Sequence, residues 1–125
     1  MSKITLLLVE DEELIQQLLE DALDDAGFEL ITAADGAAGV SQLDARSADI
    51  AALITDVNLG HSLTGWEVAR HARELRPAMP VIYITGDSGG EWAAYGVPDS
   101  IVISKPFAPA QVVTAVATLL NKATI

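Results

Sequence analysis

Five short runs of β-branched and aliphatic residues recur along the chain, and their number and spacing constrain its fold more than any other feature. The runs cover residues 4–9, 30–33, 50–55, 81–85 and 101–104. Most of them are apolar throughout instead of alternating with polar residues, which is typical of parallel strands buried on both faces. Only the second run has the character of an edge strand. The sequence therefore predicts a sheet of five mostly buried strands.

Segments with helical spacing of apolar residues lie between these runs. The strongest repeats adjacent apolar pairs every four residues from Leu14 to Ala26, and it is followed by Gly27, a residue type that commonly ends helices. Further helices are predicted over residues 36–46, 68–75, briefly at 91–95, and from 109 onward. Alternating strands and helices imply right-handed crossovers, so the predicted fold is a doubly wound α/β sheet flanked by five helices.

Length and charge narrow the possible functions. A chain of 125 residues is long enough for one hydrophobic core but not for two domains, so we expect a single domain over 1–125 with no second domain. Seven Lys and Arg against eighteen Asp and Glu give a net charge of −11. That charge opposes contact with nucleic-acid phosphates or anionic membranes, and we expect neither as a partner.

Cysteine usage and the first apolar run indicate the compartment. The chain has no cysteine, which excludes disulfides and thiolate metal sites. The run at 4–9 is too short to cross a membrane and stops at four consecutive acids, unlike a signal peptide. We therefore expect a cytoplasmic protein.

The residues that follow the predicted strands point to a site. Ligands of open α/β sheets bind beyond the carboxyl ends of the strands. Glu10 and Asp11 follow the first strand and Asp56 follows the third, while Thr85 ends the fourth and Lys105 follows the fifth. The sequence thus predicts three carboxylates, a hydroxyl and an ammonium at one edge of the sheet.

Crowded carboxylates repel one another unless a cation lies among them. Magnesium prefers a few oxygen ligands and keeps several waters. We expect one Mg²⁺ held by Asp11, Asp56 and the backbone carbonyl of Asn58, with Glu10 acting through water.

Such a site suits phosphoryl transfer, in which positioning and charge neutralisation dominate catalysis. Asp56 would be the nucleophile and would form an acyl phosphate. Thr85 would donate a hydrogen bond to one phosphoryl oxygen, and Lys105 would place its charge on another.

Each of these residues also has an ordinary structural explanation. Acids at 11–13 can cap the start of a helix and complement its dipole. Asp56 could be a loop residue, Thr85 a β-branched strand residue and Lys105 a solvated charge. Because these residues occur together at four separate strand ends, a functional site is a better explanation than four unrelated structural roles.

Four segments of the chain resemble response-regulator receiver domains: "LLLVEDEE", "LITDVNLG", "VIYITGD" and "SKPF". The resemblance covers essentially the whole chain. It implies the flavodoxin-like strand order 2-1-3-4-5. It also implies phosphoryl transfer to Asp56 from a sensor histidine kinase or a histidine phosphotransfer protein, and a cis bond between Lys105 and Pro106 that aims the ammonium into the site.

The chain departs from the family pattern at three places. Glu10 stands where an aspartate is usual. Four residues after Asp56, Gly60 stands where the family commonly has a proline, and the glycine that the family has eight residues on comes one residue later, as Gly65, which implies a longer loop. Val102 occupies a position that is usually aromatic, and in the family this ring swings inward on phosphorylation.

The absence of that ring implies a different readout of phosphorylation. One possibility is rearrangement of the glycine-rich segment at 86–90. Gly86 and Asp87 follow Thr85 directly and would border the route of water to the phosphoryl group.

The leading hypothesis is a single-domain response regulator whose phosphorylation changes its affinity for an unidentified downstream protein. It would be a signalling switch and not an enzyme beyond its own phosphorylation and dephosphorylation. The alternative is a receiver-like adaptor whose binding does not depend on phosphate. A flavodoxin-like cofactor binder is disfavoured because the "EDEE" loop offers acids where a flavin phosphate needs hydroxyls and N–H groups.

Overall fold

The computed structural model describes residues 3–60, 63–86 and 89–123. Strands and helices alternate along the whole of this part. The strands are β1 (Thr5–Val9), β2 (Glu29–Ala33), β3 (Ile50–Asp56), β4 (Val81–Thr85) and β5 (Ile101–Ser104). The helices are α1 (Glu13–Asp25), α2 (Gly36–Arg46), α3 (Gly65–Leu75), α4 (Trp92–Tyr95) and α5 (Pro109–Ala123), and a 3₁₀ turn at Gly89–Glu91 precedes α4.

The strands form one parallel sheet in the order β2-β1-β3-β4-β5, which confirms the predicted topology. Each strand lies on a predicted apolar run, and no end differs by more than one residue. The apolar pattern by itself indicated only the second run as an edge strand, and this expectation was wrong, because β5 forms the other edge, as the strand order implied by the family resemblance requires. Its residues Ile101 and Val102 are only half-buried and Ser104 is exposed.

The apolar character of the strands is explained by two cores, one on each face of the sheet. Along β1, Leu7 and Val9 face one core, and Leu6 and Leu8 face the other. Helices α2 and α3 cover the first face, and α1 and α5 cover the second. Because successive side chains point to opposite faces, a strand covered on both sides must be apolar at nearly every position.

The ends of two helices follow from local sequence. Gly27, at φ 95°, lies two residues after the end of α1 at Asp25, and the N–H of Phe28 donates to the Leu23 carbonyl, which closes the helix as predicted. Helix α3 starts with a capping box between Thr64 and Glu67, which satisfies N–H groups that a helix start leaves free. No helix in the described ranges is both long and apolar enough to cross a membrane.

Candidate functional site

Strands β1 and β3 bring three carboxylates together at their carboxyl ends. The pairing of Val9 with Thr55 places the two strand ends side by side. One carboxylate oxygen from each of Glu10, Asp11 and Asp56 lies within 4.8 Å of the other two. Glu10 and Asp56 are buried, whereas Asp11 is exposed. The structure thus places these three predicted residues in one cluster with an opening to solvent.

Asp56 is held by hydrogen bonds to both of its carboxylate oxygens. The Lys105 ammonium donates to Oδ2 at 2.9 Å, and the Asn58 backbone N–H donates to Oδ1 at 3.2 Å. The backbone of Lys105 is itself anchored, because its N–H donates to the Thr85 carbonyl at 2.8 Å. The Lys105–Pro106 peptide bond is cis, the form that the family resemblance implies. Strands β3, β4 and β5 therefore meet at this carboxylate.

Glu10 lies deeper in the cluster. Its Oε2 accepts a hydrogen bond from the Glu12 N–H at 3.0 Å, while its Oε1 is buried and has no hydrogen-bond partner among the described residues. Burial raises the pKa of Glu10 to about 8, and the charge of Asp56 acts in the same direction. The hydrogen bond from Glu12 and the charge of Lys105 act in the opposite direction but do not outweigh burial, so the charged form of Glu10 is disfavoured.

The charge of Lys105 is stabilised at the site. Burial would lower the pKa of this ammonium, but the hydrogen bond and charge of Asp56 outweigh it and raise the pKa above its ordinary value. Lys105 is thus a fixed positive charge beside the three acids.

Glu12 contributes to the site in a way that sequence reasoning missed. Capping of the helix start was the ordinary explanation offered for its acid, yet Glu12 stands at the N-cap of α1 and makes no side-chain capping bond. Its Oε1 instead lies 3.8 Å from the Lys105 ammonium. The only sequence signal was its place two residues after Glu10, at the same edge of the sheet.

Gly65 supports Asp56 through close packing of the backbone. A Cβ atom on Gly65 would lie 2.1 Å from the Asp56 carbonyl oxygen, so no other residue fits without a shift. The Gly65 N–H donates to the Val57 carbonyl at 2.8 Å. The sequence revealed only that this glycine comes one residue later than in the family. The loop between Asp56 and Gly65 is therefore longer, and it contains Gly60 at φ 79°.

The remaining predicted residues lie at or beside this edge. Thr85 is buried at the end of β4, and exposed Gly86 follows it. Val102 is half-buried in β5 and pairs in register with Tyr83. Asn58 is exposed and contacts Asp56 through its N–H. Asp87 lies outside the described residues.

The donor set fits a hard divalent cation. Three carboxylates, one of them with an unpartnered buried oxygen, provide the oxygen ligands that Mg²⁺ prefers. When all three acids are ionised, the single charge of Lys105 cannot balance them. The cluster of Glu10, Asp11 and Asp56 is therefore consistent with a metal site.

Comparison with known proteins agrees with the fold. Residues 6–117 match the family model of the response regulator receiver domain. A response regulator receiver protein from Sinorhizobium medicae is 43% identical in sequence to this chain. Its crystal structure matches the fold with a TM-score of 0.94 over 98% of both chains.

Two curated relatives are more distant. The receiver protein CpdR of Brucella abortus is 32% identical over 109 residues, which cover 82% of this chain and 84% of CpdR. The alkaline phosphatase synthesis regulator PhoP of Bacillus subtilis is 29% identical over 122 residues, or 96% of this chain and 50% of PhoP. The chain spans about half the length of PhoP and of several other regulators that it matches.

Proposed function

This chain belongs to the response-regulator receiver family, a family of signalling phosphoacceptors, and on that premise we propose that Asp56 is the residue that accepts the phosphoryl group. One observation supports Asp56 as the phosphoryl acceptor most directly. Asp56 is the carboxylate that touches the Lys105 ammonium while lying within 4.8 Å of two further acids. A nucleophilic carboxylate beside a fixed positive charge and a cation site has what phosphoryl transfer requires.

The transfer step uses groups that are already in place. A carboxylate oxygen of Asp56 attacks phosphorus, and the bond from phosphorus to the donor nitrogen breaks with its electron pair going to the histidine ring. The phosphoryl group then has three peripheral oxygens whose charge must be balanced. Lys105 takes one of them, since its ammonium lies 2.9 Å from Asp56 Oδ2 in the unphosphorylated chain. Thr85, at the end of the adjacent strand, donates a hydrogen bond from its hydroxyl to a second phosphoryl oxygen.

Mg²⁺ is the cofactor we propose. Asp11 and Asp56 would bind it directly with the Asn58 carbonyl, and Glu10 would reach it through water by way of its unpartnered Oε1. When bound, the ion neutralises the acids and the third phosphoryl oxygen.

Receiver domains pair with histidine kinases, and we assign the donor of this chain to that class or to histidine phosphotransfer proteins. The added charge of about 1.5 to 2 units changes the affinity of the domain for a downstream protein. Because the surface is strongly acidic, the output is binding to a protein and not to nucleic acid. In this proposal, Gly86, which follows Thr85 directly, borders the route of water to the phosphoryl group and governs the lifetime of that group.

Chemical trapping tests the assignment of Asp56. The protein is incubated with phosphoramidate, a small donor with a phosphorus–nitrogen bond, and Mg²⁺, and is then reduced with borohydride, which attacks acyl phosphates. Peptide mass mapping should place the reduced residue at position 56. Reduction at Asp11 or Glu10 instead, or at no residue, would contradict the proposal.

A further inference from the structure

A buried tyrosine in β4 connects the site to residues 92–100, which comprise α4 and the loop before β5 and are called the α4 segment. Tyr83 is fully buried and lies two residues before Thr85, so both side chains point to the same face of the sheet. Its hydroxyl oxygen accepts a hydrogen bond from the Val97 N–H at 3.0 Å. Val97 comes two residues after the end of α4.

The same ring contacts the start of α3. The Trp66 and Tyr83 ring centroids are 4.6 Å apart, and the ring of Tyr95, at the end of α4, lies 6.3 Å from Trp66. Trp66 directly follows Gly65, which packs against the Asp56 carbonyl oxygen. A continuous series of packed groups therefore runs from the backbone of Asp56 to the last turn of α4.

Among the described residues, few hydrogen bonds hold the α4 segment to the rest of the fold. Helix α4 has four residues, none of them buried, so it has little packing of its own. The Val97 N–H is bound by Tyr83, and the Val97 carbonyl accepts a hydrogen bond from the Ser100 hydroxyl at 2.6 Å. The Trp92 indole N–H donates to that same hydroxyl at 2.9 Å. Tyr83 thus provides the bond that ties this segment to a central strand.

Tyr83 also lies beside the position of the missing ring. It pairs in register with Val102, whose smaller side chain packs against the same core. The aromatic ring that β5 lacks is therefore present one strand inward, on the strand that ends in Thr85.

We propose that Tyr83 transmits the phosphorylation state of Asp56 to the α4 segment by releasing its hydrogen bond to the Val97 N–H. The inference rests on the proposed function. Phosphorylation pulls on Thr85 and on the start of α3, and both shift the Tyr83 ring, the first along β4 and the second through Trp66. Two discrete arrangements of one hydrogen bond, bonded and released, form the switching element that such coupling requires.

Amide hydrogen exchange at Val97 tests the inference. The isotopically labelled protein is held with Mg²⁺ and excess acetyl phosphate, and the intact mass of the same sample reports its phosphorylation. Loss of one ordinary hydrogen bond should accelerate exchange of the Val97 amide about fivefold. Tyr83→Phe, which removes only the hydroxyl, should exchange fast in both states while taking up phosphate as the unaltered protein does.

Tyr95→Phe is the matched control, since it removes a hydroxyl from the other tyrosine of the chain. It should keep the phosphorylation-dependent change at Val97. A gain in mass with unchanged exchange at Val97, or an unreduced response in Tyr83→Phe, would overturn the inference and leave the proposed function standing. Absence of any gain in mass would contradict the proposed function and, with it, the inference.

Discussion

The Lys105 ammonium lies 2.9 Å from Oδ2 of Asp56 and joins the end of β5 to the end of β3 across the intervening strand β4. The Lys105 backbone N–H also binds the Thr85 carbonyl on that intervening strand. Three strand ends are therefore connected through one lysine, which both balances the acidic cluster and fixes its geometry.

The first prediction concerns removal of this ammonium. Lys105→Met should lower the free energy of unfolding of the metal-free protein by about 1.5 to 3 kcal/mol, the usual range for a hydrogen bond to a charged group. Asp56 would then be left buried beside Glu10 without a counter-charge. Chemical denaturation without added metal measures the loss. Lys3→Met, which removes a lysine from an exposed pair 3.8 Å from Asp24, should change stability by no more than about 0.5 kcal/mol. Equal losses in both variants would contradict the prediction.

The second prediction concerns the backbone contact beneath Asp56. The methyl group of Gly65→Ala would lie 2.1 Å from the Asp56 carbonyl oxygen. The start of α3 or the end of β3 must therefore move. We expect a loss of about 3 kcal/mol in urea denaturation and slower labelling of Asp56. Gly90→Ala is the control because its Cβ would meet nothing within 4 Å. The role assigned to Gly65 fails if the two alanine variants are equally stable.

The third prediction concerns competition for Lys105. Glu12 Oε1 lies 3.8 Å from the ammonium and competes with an incoming anionic donor for its charge. Glu12→Gln should therefore speed labelling of Asp56 by acetyl phosphate by about two- to fivefold, the effect of an exposed ion pair of about 0.5 to 1 kcal/mol on a rate. Glu13→Gln removes the same charge one residue further into α1 and should have a smaller effect. An equal acceleration in both variants would mean that the effect comes from the change in net charge and not from the ion pair between Glu12 and Lys105.

The fourth prediction concerns alkaline pH. Burial raises the pKa of Tyr83 above its ordinary value of 10.0, although the hydrogen bond from Val97 and the charges of Arg73 and Arg70 act in the opposite direction. Between the two pKa values the unfolded chain has released this proton and the folded chain has kept it. The free energy of unfolding therefore falls as pH rises through this window. Denaturation at several pH values above 10 should give a shallower fall in Tyr83→Phe, and identical slopes would contradict the assignment.

Much of this fold could be predicted because its signals are local. A strand covered on both faces must be apolar at nearly every position, so β3 and β4 stood out from composition alone. The clustering of Glu10, Asp56 and Lys105 followed from a general rule, since the carboxyl ends of parallel strands share one edge of the sheet.

Other features depend on packing between distant segments and left no local signal. Strand β5 looked central because it is as apolar as its neighbours, yet no further strand pairs with it among the described residues. The bond between the Tyr83 hydroxyl and the Val97 N–H depends on where the chain runs after the single turn of α4. The approach of Glu12 to Lys105 likewise depends on the angle at which α1 leaves the sheet. Sequence periodicity contains none of these distances.

The most direct test of the account is the intact mass of the protein after incubation with acetyl phosphate, measured with and without Mg²⁺ and alongside Asp56→Asn. Asp44→Asn serves as the matched control, because it neutralises an exposed aspartate that pairs with His71 and does not belong to the cluster of Glu10, Asp11 and Asp56. The account predicts a gain of one phosphoryl group that requires Mg²⁺, persists in the control and is absent from Asp56→Asn. A gain that survives in Asp56→Asn, or no gain under any condition, would contradict it.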